Sequence, residues 1–281
     1  MTESICAGIT APAGGAGVIA GNSTADQYSK WWRIYRREQY PGSRIICLPH
    51  AGGSASFFRS WSNELPAGIE LAAIQYPGHE DRLDEPLISS MDELVTGICD
   101  SISSGGLLNK PYMLFGHSMG GYVAYELCRE IQKRGLKEPY HVFVSASEAP
   151  GYKDESSWHT SSDKDLLTEI RRVFGNEHLC ENKEVADLFL PVIRNDYRLI
   201  ESWEPDRNSQ PLKVDFSAFY ADADTEMNTV KANGWKNITS SRFETRKFAG
   251  NHFYLIKEQR EVIRAVVNVA RKQRTKRLML P

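Results

Sequence analysis

Three residue types in this chain would carry out acyl transfer if the fold brought them together: a serine set between glycines, a histidine downstream of it, and a carboxylate to orient that histidine. The serine is Ser118, in YMLFGHSMGGY at 112–122, where an apolar run ends and a G-x-S-x-G spacing begins. Such a spacing arises by chance in many chains, so its context decides. Residues 112–115 read as a strand and residues 122–134 as a helix, which is the strand, turn and helix that a nucleophile elbow requires. In an elbow the serine backbone is strained and side chains two positions either way would collide. The hydroxyl is then lifted to a helix N-terminus, where the dipole favours a developing anion.

Serine is a poor nucleophile near neutral pH, so a base must reach it and a carboxylate must hold the base. His252, in FAGNHFYL, follows the last strand-like run, with Gly250 allowing a sharp turn. The acid is expected after the preceding run, where FYADAD supplies Asp222 and Asp224. Asp224, further out in the loop, is preferred over Asp222, and Glu148, just beyond an earlier run, is a third candidate. His117 is expected to point into packing. His141 begins a strand, and His159 and His178 lie in polar segments. His50 and His79 read as loop-shaping or substrate-proximal groups. The oxyanion needs backbone donors. Met119, directly after the serine, supplies one; the small residues of LPHAGGSAS at 48–56 point to the Ala51 N–H as the other, with Gly52 as the alternative. That loop lacks the Lys-Ser/Thr ending and the glycine spacing of a phosphate-binding loop.

The elements that must position these groups alternate. Strand-like runs are RIICLP (44–49), ELAAIQY (70–76), YMLF (112–115), HVFVSAS (141–147), VDFSAFY (214–220) and RFETRKF (242–248), with helical stretches between most of them. Several are nearly continuous in apolar residues, as strands buried on both faces of a parallel sheet should be. The expected fold class is α/β, a mostly parallel sheet flanked by helices. Residues 148–212 break the rhythm. Leu166, Leu167, Ile170, Val173 and Phe174 fall on one helical face ended by Gly175, and Pro191 suits the start of a second helix. A helical insertion at the carboxyl edge of a parallel sheet sits where a lid would. The domain reading is a mobile extension at 1–30, an α/β core at 31–147 and 213–272, a helical lid at 148–212 and a basic tail at 273–281.

The chain has 281 residues, 41% hydrophobic and 25% charged, enough for one large domain. Its formal net charge of −2 gives no reason to expect nucleic acid, and the basic KQRTKR at 272–277 reads as a solvated tail. Cys6, Cys47, Cys99, Cys128 and Cys180 are spread out with no C-x-x-C pair, which points to reduced thiols in the cytoplasm. No apolar run is long enough to span a membrane, and the start lacks a secretory signal. The N-x-[ST] triplets at Asn22 and Asn237 are then chance matches.

Over residues 31–264 the chain resembles the stand-alone type II thioesterases of polyketide and nonribosomal peptide synthesis, together with the related medium-chain thioesterase of animal fatty acid synthesis. The landmarks are LPHAGGSASFF, QYPGHEDRLDEP (75–86), FGHSMGGYVAYEL, LPVIRNDYRLIESW (190–203) and GNHFYL. Two places depart from that family's habit: His79 stands where arginine is usual, and Ala221 and Thr225 flank the acid loop where glycine and proline are usual. The resemblance implies an α/β-hydrolase fold. It also implies hydrolysis of acyl groups held as thioesters on the phosphopantetheine arm of acyl or peptidyl carrier proteins, with Ser118, Asp224 and His252 as the triad. No metal or cofactor is implied, since a thiolate leaves readily. The expected protein is a monomer that works with carrier domains and with neither nucleic acid nor membrane; Arg171 and Arg172 are candidate carrier contacts. A general esterase or lipase, an acyltransferase, and a binding module remain the alternatives; the intact triad residues argue against the last.

Overall fold

The computed structural model describes residues 30–175, 182–206 and 208–278. Cys6, Asn22, His178, Cys180 and the extension up to residue 29 lie outside the described residues. Seven strands, β1 (Trp32–Arg36), β2 (Ser43–Leu48), β3 (Ile69–Ile74), β4 (Tyr112–His117), β5 (His141–Ser145), β6 (Asp215–Ala221) and β7 (Phe243–Phe248), form one sheet in the order β1-β3-β2-β4-β5-β6-β7. The helices are α1 (Met91–Ser104), α2 (Met119–Lys133), α3 (Asp163–Phe174), α4 (Lys183–Ser202), α5 (Thr229–Gly234), α6 (Tyr254–Lys257) and α7 (Gln259–Leu278). All neighbouring strands run parallel except β1 against β3. The six expected runs match β2 to β7. The short amphipathic β1, WRIYR, half-buried along its whole length, is the strand that sequence reasoning did not foresee.

Alternation along each central strand divides the core in two. Ile45, Cys47, Met113 and Phe115 face Val262, Ile263 and Val266 of α7, whereas Ile46, Leu48 and Leu114 face α1 and α2. Both faces are covered, which is why β2, β3 and β4 read as continuous apolar runs. Cys47, Cys99 and Cys128 are buried free thiols. Among the described residues no helix is long and apolar enough to cross a membrane.

Within 148–212 the described residues form the helices α3 and α4, with mostly irregular chain before and after the pair, and with one correction to the expected boundaries. Ser162 caps α3, its hydroxyl accepting the Asp165 N–H at 3.2 Å, and Gly175 ends it at φ +61. Pro191, however, does not start the second helix but lies inside α4, which begins after the capping Asn182. An internal proline forfeits a backbone bond and crowds the preceding turn. Packing of Ala186, Leu190 and Ile193 against Leu166 and Ile170 of α3 holds the helix through it. The α3 apolar face is therefore largely covered by α4. At the C-terminus α7 continues to Leu278, so residues 273–278 of the expected tail are helical.

Candidate active site

Ser118 follows β4 directly and caps α2, with φ +53 and ψ −121. That positive φ is costly for a residue with a Cβ. The surroundings enforce it: Ser118 N–H donates to the Ser145 carbonyl at 2.7 Å, and the Ser118 carbonyl accepts from Gly121 N–H at 2.8 Å and from Ser147 Oγ at 3.0 Å. The glycines are required by space. A Cβ on Gly116 would lie 1.9 Å from the Gly120 carbonyl oxygen, and one on Gly120 would lie 2.0 Å from the Leu48 carbonyl oxygen. The elbow is thus wedged between β2 and its own helix, with the hydroxyl at the N-terminus of α2.

His252 lies in the loop after β7, where Gly250 takes φ +116. Its Nδ1 donates to Asp224, 3.0 Å from Oδ2 and 3.2 Å from Oδ1. The Asp224 side chain is fully buried and also accepts the Glu226 N–H at 2.9 Å. This assigns the Nδ1 proton and leaves Nε2 as the basic atom. The His117 ring, next to the serine in sequence, is 5.5 Å from the His252 ring, so the elbow and the histidine loop are in contact. The other two acid candidates are occupied elsewhere. Asp222 accepts the Gly250 N–H at 3.0 Å. Glu148 pairs with Lys231 and accepts the Asp154 N–H at 2.9 Å.

Met119 N–H belongs to the first turn of α2, where backbone donors lack intrahelical acceptors. The loop after β2 turns at 50–53, closed by Gly53 N–H to the His50 carbonyl at 2.9 Å, with Gly52 at φ +71. Gly52 N–H is already taken, donating to Asp196 Oδ2 at 2.7 Å. The alternative oxyanion donor, Gly52, is therefore engaged by a carboxylate in this structure. Asp196 comes from α4, and sequence reasoning gave it no role; its helical register in LPVIRNDYRL is the signal that could have turned it inward.

Around His252 stands an aromatic wall. His50 packs edge-on to Phe57 and Phe253 at 4.5 and 4.8 Å, and Phe174 of α3 reaches Phe253 at 4.7 Å. Burial, with His252 and His79 nearby, pushes the His50 pKa down to about 3, so its ring is neutral. His117 is likewise held well below the usual range by burial, and its Nδ1 meets Ser145 Oγ at 2.9 Å. Both are packing groups beside the site. Of the two arginines singled out in the insertion, Arg172 is answered by Glu169 and Glu226 at 2.5 and 2.6 Å, while Arg171 is exposed.

The comparisons agree with this geometry. The thioesterase domain family model matches residues 43–269. Thioesterase PikA5 of Streptomyces venezuelae is 34% identical over 233 residues, covering 83% of this chain and 82% of that protein. The gramicidin S biosynthesis protein GrsT of Aneurinibacillus migulanus is 30% identical, covering 84% and 92%. The solved structure of the type II thioesterase BorB from the borrelidin biosynthetic cluster superposes with TM-score 0.78 at 32% identity, covering 89% of this chain and all of that one. A serine at a strained elbow, a histidine held by a buried aspartate and these relatives lead to one assignment: the chain belongs to the thioesterase family, as a type II thioesterase of the α/β-hydrolase fold.

Proposed function

We propose that this enzyme hydrolyses acyl groups from the phosphopantetheine arm of acyl or peptidyl carrier proteins, an editing role in polyketide or nonribosomal peptide synthesis. The observation that carries the chemistry is the buried Asp224–His252 pair in contact with the strained Ser118 elbow. Ser118 Oγ attacks the thioester carbonyl carbon while His252 Nε2 takes its proton. The tetrahedral oxyanion is met by the Met119 and Ala51 N–H groups, each worth roughly 3 kcal/mol in comparable sites. Collapse breaks the C–S bond, and the departing thiolate takes the proton from His252. Water, deprotonated by His252, then attacks the acyl-serine and releases the acid with Ser118 restored. A thiolate is a good leaving group, so the scheme uses no metal or diffusible cofactor.

The carrier-bound substrate is supported by the relatives' biosynthetic settings and by a physical argument. A hydrolase that attacked small thioesters quickly would drain acyl pools, so discrimination should come from binding energy remote from the carbonyl and realised in the transition state. In this scheme the protein works as a cytoplasmic monomer, with neither nucleic acid nor membrane as partner, and the 148–212 helices act as a lid. The test compares kcat/KM for one acyl group on a carrier, on a pantetheine mimic and as a simple ester, each at low and high salt. A preference for the carrier of about tenfold or more, or about 1.4 kcal/mol, is expected. It should shrink as salt screens the contact. Equal turnover of the ester would move the function to a general esterase.

A further inference from the structure

Beneath the site, a buried histidine is hydrogen-bonded at both ring nitrogens to oxygen. His79 Nδ1 lies 2.9 Å from the Pro77 carbonyl and Nε2 lies 2.9 Å from Asp196 Oδ2. A carbonyl and a carboxylate oxygen are both acceptors, so only the doubly protonated ring satisfies both contacts. The side chains of this ion pair are each 3% exposed. The same Asp196 Oδ2 takes the Gly52 N–H at 2.7 Å. A Cβ on Gly52 would lie 2.6 Å from Ile193 Cγ1, so α4 sits directly on the turn that carries Ala51. Gln75 ties the remaining side of the loop, donating to the His79 carbonyl at 2.8 Å while accepting the Ala55 N–H at 2.9 Å.

We propose that His79, acting through Asp196, is a positioning residue for the oxyanion loop: the imidazolium holds the carboxylate where it fixes the Gly52 peptide, and so fixes the neighbouring Ala51 N–H. The inference rests on Ser118 and His252 being the reacting pair. Because Asp196 belongs to α4, the same contact joins the lid segment to the oxyanion loop, so the two are set together. Without the imidazolium, Asp196 would be a buried carboxylate with a single backbone donor, which favours movement toward water.

The groups facing His79 are Asp196 from α4, Arg82 from its own loop, the Tyr76 ring at 5.6 Å and His50 from the oxyanion loop. Burial opposes the charge, but the Asp196 carboxylate, its hydrogen bond and the Pro77 carbonyl outweigh burial and Arg82 and hold the pKa above the ordinary histidine value. A raised histidine pKa gives a contribution that is complete below the unfolded value and lost as pH rises through the folded one. The clamp should therefore fail on the alkaline side.

The test uses the full chain and an acyl thioester of N-acetylcysteamine, following kcat and KM from about pH 6 to pH 10, a span that brackets histidine titration. His79→Gln is expected to lower kcat by about tenfold or more with KM within about threefold, as for loss of an oxyanion donor rather than of substrate binding. A guanidinium stays charged throughout. His79→Arg should recover most of that loss and lack the alkaline fall of the wild type. Wild-type kcat in His79→Gln, a loss seen in KM alone, or an alkaline limb unchanged in His79→Arg overturns the proposal. Should a variant fail to fold, nitrogen NMR of the His79 ring decides: two N–H groups at neutral pH support the clamp, one overturns it. Ser118→Ala separates the layers, since wild-type turnover there would sink the triad while the NMR still reports the charge on His79.

Discussion

Asp222 and Asp224 hold the two ends of one loop: Asp222 Oδ1 accepts the Gly250 N–H at 3.0 Å, and Asp224 Oδ2 accepts from His252 Nδ1 at the same distance. Between them Ala223 N–H donates to the Gly250 carbonyl at 2.9 Å. The loops after β6 and β7 are therefore stitched together, and the stitching brings His252 to the elbow. Of the two aspartates, Asp224 is the one hydrogen-bonded to the imidazole.

Asp224→Asn should lower kcat by roughly 10³ to 10⁴, because an amide does not hold the Nδ1–H tautomer as a carboxylate does. Asp222→Asn should cost about tenfold or less, since the amide oxygen still accepts the Gly250 N–H. Steady-state kcat on an acyl thioester checks the order. If Glu148→Gln were the most damaging of the acid variants, the acid would lie after β5 instead.

The elbow glycines predict a stability contrast that needs no activity. Gly120→Ala places a methyl against the Leu48 and Pro49 carbonyl oxygens, which are backbone and cannot swing away. A loss of about 3 kcal/mol or more in urea unfolding is expected. Gly135→Ala meets nothing within 4 Å and carries only the strain of φ +64, so about 1 kcal/mol is expected. Similar losses for the two would contradict the wedged elbow.

Glu148 gives a pH-dependent prediction. Burial raises its pKa despite hydrogen bonds from Lys231 and the Asp154 N–H. Lys231→Met removes the main opposing cation, so the protein should lose about 2 kcal/mol near neutral pH while kcat changes little. A carboxyl whose folded pKa is raised binds its proton more readily folded than unfolded, so the deficit should shrink as pH falls through that pKa. Unfolding curves at neutral and acidic pH test this; a deficit that grows on acidification would show that Glu148 is not the group left uncompensated.

The parts of this site legible in the sequence are those fixed by local chemistry. Gly116, Ser118 and Gly120 announce the elbow because the three residues needing special backbone or no Cβ fall within five positions, although the group that excludes a side chain from Gly120 is the distant Leu48 carbonyl; the buried strands announce themselves by apolar runs. The sequence points to Asp224 ahead of Asp222 and Glu148 only by its place further out in the loop after β6; the direction in which that loop leaves β6 puts Asp224 on His252 and Asp222 on the Gly250 N–H. Long-range contacts left no local mark. Asp196 meets His79 and Gly52 only because α4 folds back over the sheet edge, and α4 runs through Pro191 because α3 covers its apolar face. The half-buried β1 carries its arginines three positions apart, at Arg33 and Arg36, which breaks the two-residue alternation by which a strand stands out.

The last prediction concerns chain length. Leu166 and Ile170 of α3 are consumed in packing against α4, but Phe174, at the end of the same face, reaches the site. Its ring stands 4.7 Å from Phe253, the residue after His252, and 5.7 Å from the neutral His50 ring. An acyl chain leaving the ester carbonyl on Ser118 Oγ on the α3 side would meet this wall. Phe174→Ala removes one ring from it and should open room for additional methylenes, each worth roughly 0.8 kcal/mol when buried. Two of them correspond to about a tenfold gain or more in the kcat/KM ratio of a medium-chain acyl thioester over acetyl. Stability should fall by about 2 kcal/mol or less, because Phe174 is only half-buried. The decisive measurement is that ratio for wild type and Phe174→Ala at a temperature where both are folded. An unchanged ratio would place the acyl path away from α3, and a fall in both rates together would make Phe174 a support for His252 rather than a wall of the channel.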